Sequence, residues 1–152
     1  MAWPADGETL VAELARFRRL ALVEGGPGPA LRLAEVLGID PCRVGQRLAG
    51  FTSAPDLTAV QRLLDGERVL MDLDVLFEPA LQLDPLALLR EQARRVGGVV
   101  AVWPGGIGDG RATYSVAGRF DRYDAALADA IVLRAQPVVF PDDVPFTMER
   151  IP

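Results

Sequence analysis

Histidine, lysine and asparagine do not occur in the 152 residues, serine occurs only at Ser53 and Ser115, and Cys42 is the single cysteine. Without histidine, Ser-His-Asp and Cys-His nucleophile chemistry and every His-ligated metal site are excluded. Without lysine, Schiff-base chemistry and the lysine that grips phosphates in nucleotide-binding loops are excluded. A lone cysteine excludes an internal disulfide and any CxxC site, and Cys42 reads as an inert buried thiol. Long apolar runs are also missing: no stretch reaches the roughly 18 residues needed to cross a bilayer. The first residues carry no basic segment followed by an apolar run, so no signal peptide is expected and the cytoplasm is the default compartment.

What remains for acid, base and ion chemistry is carboxylates, tyrosine and 16 arginines. Half the residues are hydrophobic, and the length suits one domain over residues 1–152 with a core that needs no disulfide or metal. The net charge of −5 gives no basic footprint for nucleic acid in the whole-chain balance. Two local arginine groups stand out, Arg16, Arg18 and Arg19, and Arg90, Arg94 and Arg95. They read first as cations closing helix C-termini, with phosphate binding as the alternative.

Periodicity predicts a helix over 7–17 capped by Asp6, a buried strand over 19–23, a glycine- and proline-rich loop over 24–29, and a helix over 30–37 ended by Gly38. A short strand at 41–45, a helix over 54–64 and a strand over 68–74 follow. Asp84 and Pro85 open a helix over 85–96, which Gly97 and Gly98 stop. Residues 99–103 form another buried strand, 107–123 a loop with a hairpin, and 130–134 a last strand or the end of a helix begun near Asp121. The tail after Pro137 is expected to pack in extended form, and Trp103 to be core. Buried strands alternating with helices predict an α/β fold, a three-layer sandwich with a mostly parallel sheet. In such sheets ligands sit beyond the carboxyl ends of the strands.

Two features fall at those ends. One is the loop after Val23, whose glycines Gly25, Gly26 and Gly28 suit backbone amides turned toward a phosphate at a helix N-terminus. The other is the pair Asp72 and Asp74, of which Asp72 is the candidate ligand for a phosphate-bridging Mg²⁺. Strand periodicity places both carboxylates on one face, where a metal or an arginine would balance them. The loop departs from G-x-x-x-x-G-K-[ST]. One register puts Arg32 in the lysine position, and no register supplies the Mg²⁺-binding hydroxyl. Pro27 and Pro29 remove two amide donors, and Glu24 adds a negative charge.

Residues 19–28 (RLALVEGGPG), 69–77 (VLMDLDVLF), 83–89 (LDPLALL) and 99–105 (VVAVWPG) resemble the BrxF family, the small P-loop proteins of the BREX (bacteriophage exclusion) defence systems. The stretch 109–114 (DGRATY) and its distance from WPG fit as well, so the resemblance runs over residues 8–135. It implies a P-loop NTPase-like fold and a place in a phage-defence complex with a large ATPase, a DNA methyltransferase and an alkaline-phosphatase-like protein. It maps the phosphate-binding positions to Gly25, Gly26 and Gly28 and the Walker B aspartate to Asp72. With the lysine and hydroxyl missing, the expected role is a non-hydrolysing scaffold with no required cofactor, able to self-associate. The alternatives are a subunit that binds or hydrolyses ATP·Mg²⁺, and a DNA-contacting subunit, which the acidic balance disfavours.

Overall fold

A computed structural model describes residues 3–140 and 146–152, with the side chains of 3–6 left aside. Helix α1 (Trp3–Phe17) leads into β1 (Leu20–Glu24) and α2 (Gly28–Leu37). β2 (Cys42–Arg43), α3 (Val44–Leu48), α4 (Leu57–Leu63) and β3 (Val69–Met71) follow. After two 3₁₀ turns come α5 (Pro85–Val96) and β4 (Val99–Val102). β5 (Gly106–Gly108), β6 (Arg111–Tyr114), β7 (Tyr123–Ala126), β8 (Ala130–Ala135) and β9 (Phe146–Ile151) complete the order.

The main sheet has six strands in the order β2-β3-β4-β1-β8-β9. All its pairings are parallel except β8 with β9. Strand alternation divides the apolar residues between its faces. Leu20, Leu22, Val99, Ala101 and Val132 join Leu89 and Ala93 of α5 in one core. Ala21, Val23, Val100, Ile131 and Leu133 join Leu10 and Leu14 of α1 and Leu33 of α2 in the other. Burial on both faces is why β1, β4 and β8 read as continuous apolar runs. The chain is thus α/β, with helices on both faces of a mostly parallel sheet.

The helix ends follow their capping residues. Asp56 and Asp84 accept from the amides of Ala59 and Ala87 at the starts of α4 and α5. Gly38 and Gly97 close α2 and α5 in the left-handed conformation that favours glycine. Arg94 and Arg95 occupy the last turn of α5, and Arg18 donates to the Arg94 carbonyl, which fits the helix-closing role expected of them.

Several boundaries differ from the sequence expectation. α1 starts at Trp3, so Asp6 lies inside it rather than capping it. α2 starts at Gly28, which shortens the loop before it to three residues, because a proline at position 29 suits a first helical turn. The strand expected over 68–74 ends at Met71, where Asp72 turns left-handed (φ 60°) and the chain enters a 3₁₀ turn. Residues 123–126 are strand, so no helix runs from Asp121 into β8. Part of the extended tail is β9, paired antiparallel to β8; residues 141–145 lie outside the described residues.

The hairpin expected within 107–123 is larger, an antiparallel sheet β5-β6-β7. Asp109 and Gly110, both at positive φ, form the two-residue turn between Gly108 and Arg111. This Asp-Gly turn matches the right-handed strand twist. The small sheet packs through Ile107, Ala112, Tyr114 and Tyr123 onto the α5-side core.

Candidate functional site at the carboxyl ends of the sheet

β1 ends at Glu24, and residues 25–27 alone connect it to α2. Gly25 (φ 92°) and Gly26 (φ 134°) hold conformations that side chains disfavour, so the tight reversal requires glycine there. Pro27 takes the N-cap position of α2 without a side-chain cap, and its carbonyl accepts from the Leu31 amide at 3.0 Å. With proline at 27 and 29, the helix start lacks two of its amide donors. Arg32 lies in the second turn and pairs with Glu35 at 3.9 Å.

Glu24, the residue before this loop, is held by β8 and β5. Its carboxylate forms an ion pair with Arg134, its cross-strand neighbour on β8. It also accepts from the Ile107 amide of β5, and Arg134 donates to the Ile107 carbonyl at 2.9 Å. One ion pair thus clamps the small sheet over the ends of β1 and β8. Glu24 was legible as a negative charge near the loop; its partner, 110 residues away, was not.

A cleft of about 400 Å³ opens beside the loop at the ends of β2, β3 and β4. Pro27, Arg43, Gln46, Asp72 and Asp74 line it with apolar residues; Gly25, Gly26, Gly28 and Arg32 do not. The structure therefore brings the two aspartates to the edge of the loop but separates them from the glycines. The aspartates do not alternate along a strand as expected: Asp72 ends β3 and Asp74 opens the next turn, with buried Leu73 between them. Among the described residues neither forms an ion pair, against the expected arginine partner, although Arg43 shares the cleft. The Asp72 carbonyl accepts from the Gly45 amide at 3.1 Å, and its carboxylate lies over the Gly45 α-carbon, where a Cβ would come within 2.4 Å of Oδ2. Arg43 and Gln46 are cleft residues that sequence reasoning missed, since a two-residue strand and a one-turn helix leave little periodic signal.

No group of three or more carboxylate or thiol side chains able to hold a metal ion occurs among the described residues, so Asp72 would need ligands from elsewhere. The cleft offers two carboxylates, a guanidinium and an amide. These groups can hydrogen-bond and pair with a polar ligand, and the two carboxylates are the groups among them able to act as acid, base or nucleophile.

The motifs around Trp103 have structural roles. The buried Trp103 indole donates to the Thr113 carbonyl at 2.9 Å. Phe77 stacks on Tyr114 at 4.0 Å between ring centroids and meets Trp103 and Tyr123 edge-on. The Tyr123 hydroxyl donates to Asp84 at 2.5 Å and accepts from the Leu86 amide at 3.3 Å. Burial, then the bond to Asp84, raises the Tyr123 phenol well above its ordinary range. Cys42 is buried, which pushes its thiol up as well.

Comparison of the chain with protein-family models, with curated proteins and with solved structures found no match.

Proposed function

We propose that the chain is a P-loop-like scaffold subunit of a BREX-type phage-defence complex that does not hydrolyse nucleotide. The observation that carries the non-hydrolysing part is the loop itself, three residues long, with proline at 27 and 29 and neither lysine nor hydroxyl at the start of α2. A triphosphate there would find two amide donors fewer and no lysine, at the end of a loop only three residues long. The P-loop-like part is supported by β1 lying between β4 and β8 and leading through glycines into α2. The defence context rests on the resemblance of the VLMDLDVLF, WPG and DGRATY stretches to the BrxF family.

A scaffold needs a surface for partners. The β6–β7 connection exposes Val116 (62%) and Phe120 (76%), with the Arg119 guanidinium 5.7 Å from the Phe120 ring. Aromatic and arginine side chains are the usual anchors of such contacts. The partners are the large ATPase, the methyltransferase and the phosphatase-like protein, or a second copy of the chain. No helix among the described residues is long and apolar enough to cross a membrane, in keeping with a cytoplasmic complex.

Two measurements test the proposal. Titration calorimetry with ATP·Mg²⁺ and with ADP is expected to give no saturable heat at high micromolar nucleotide. Saturable heat that requires Mg²⁺ and disappears in Asp72→Ala would replace the scaffold with an ATP-binding subunit. Co-expression with the three defence proteins is expected to yield a complex that Phe120→Asp weakens, and failure of all three to co-purify would remove the defence assignment.

A further inference from the structure

Two arginines from each group of the sequence converge at the amino ends of the strands, opposite the Asp72 cleft. A cavity of about 360 Å³ there is lined by Arg18, Arg19, Arg90 and Arg94, with Glu91 and Asp129 as its carboxylates. Leu20, Ala87 and Ala93 supply apolar wall. Arg94 is paired with Glu91, and Arg19 with Glu13 and Asp129. Arg18 and Arg90 instead donate to neutral backbone carbonyls, those of Arg94 and Ala128. Neither has a carboxylate within ion-pair distance among the described residues, so two guanidinium charges border this concavity without an anionic partner.

Arg18 is fixed there by the backbone. It follows the last residue of α1 in a left-handed conformation (φ 52°), and the Arg19 amide bonds back to the Leu14 carbonyl at 3.1 Å. Glycine is the usual residue at this C-terminal position.

We propose that this cavity binds the phosphate of a small phosphomonoester, with Arg18 and Arg90 as its principal anion ligands. A guanidinium presents parallel N–H donors that match phosphate oxygens, and a dianion would balance both unpaired charges. A concavity with an apolar wall of Leu20, Ala87 and Ala93 suits a small molecule with a non-ionic portion. The net charge of −5 opposes a long polyanion.

The test is amide-resolved NMR of the full chain at low ionic strength, titrated with ribose 5-phosphate, with inorganic phosphate and with a short DNA duplex. Saturable shifts are expected at Leu20 and Asp129 with ribose 5-phosphate, which should bind more tightly than inorganic phosphate. Affinity is expected to fall about tenfold in Arg18→Gly and in Arg90→Gln, the loss of one charge-assisted bond, and to stay unchanged in the exposed-site control Arg62→Gln. Arg18→Gly relieves the left-handed strain, so its folding does not depend on the lost side chain. Several results would overturn the proposal: no saturable shift, equal affinity for inorganic phosphate, equal losses in the Arg18 and Arg62 variants, or shifts centred on residues 25–28. Tighter, steeply salt-dependent binding of the duplex at the same amides would also overturn it, in favour of nucleic acid.

Discussion

A methyl group on Gly105 would lie 1.8 Å from the Thr113 carbonyl oxygen and 3.0 Å from the Tyr114 α-carbon. Both are backbone atoms, so relief would require β6 to move, and the Trp103 indole already bonds that same carbonyl. Gly105→Ala is therefore expected to cost about 2 to 3 kcal/mol, the range for overpacking a fixed backbone, read as a lower urea midpoint. Gly45 makes the useful contrast, because its added methyl meets only the Asp72 carboxylate, which is exposed and free to swing away. Gly45→Ala should thus cost under about 1 kcal/mol while displacing the carboxylate from the cleft. Cys42 reports on the fold from its other edge. Its thiol is buried and its ionisation suppressed, so a disulfide reagent at mildly alkaline pH should modify it only after denaturation. Rapid reaction of the native protein would show that β2 opens.

The small sheet β5-β6-β7 depends on Glu24 and Arg134 for its hold on the end of β1. Arg134→Gln leaves Glu24 half-buried without its cation and frees the Ile107 carbonyl. Both side chains remain partly in solvent, so the cost is expected to be about 1 kcal/mol, well below that of a fully buried pair. Hydrogen exchange should quicken at Ile107 and Ala112 while the amides of β1 stay protected, and equal acceleration in both sheets would count against a local clamp. A Glu24→Gln, Arg134→Gln cycle should be less than additive. The elements themselves were largely legible in the sequence. β1, β4 and β8 are apolar runs bounded by turn residues, and α5 carries Asp84, Pro85 and Gly97 at its ends. Asp109-Gly110 announces its hairpin in the same way. What escaped was non-local or conformational. Nothing near Asp72 signals its left-handed turn, so an aspartate beyond the strand read as part of it. The β8–β9 pairing and the Arg43–Gln46 wall of the cleft arise only when distant segments meet. The glycine loop was visible, but the Glu24–Arg134 pair at the end of β1 was not, because its partners are far apart in the chain.

Two cores lie one on each face of the sheet, and polar contacts at their periphery make stability depend on pH. Glu13 of α1 receives two bonds from Arg150 of β9, one at 2.7 Å, and Arg19 lies nearby. The Arg150 hydrogen bonds hold its carboxyl below the ordinary value of 4.5. A depressed carboxyl stabilises the native state above its unfolded pKa, and that contribution disappears as the pH falls through the lowered value. Tyr123 acts at the other limit. Its raised phenol keeps the proton in the native state, so its contribution is complete below about pH 10, the unfolded phenol value, and is lost as the pH rises further. Between these limits there is no histidine to titrate, and the one thiol, raised by burial, adds to the alkaline loss as the pH passes its unfolded value of about 8.5. The urea midpoint is therefore expected to stay level from about pH 5.5 to 7.5, falling below and above that window. Glu13→Gln should flatten part of the acid limb and Tyr123→Phe part of the alkaline limb. A change in midpoint centred near neutral pH would contradict this account, because no side chain of the chain has an ordinary pKa there.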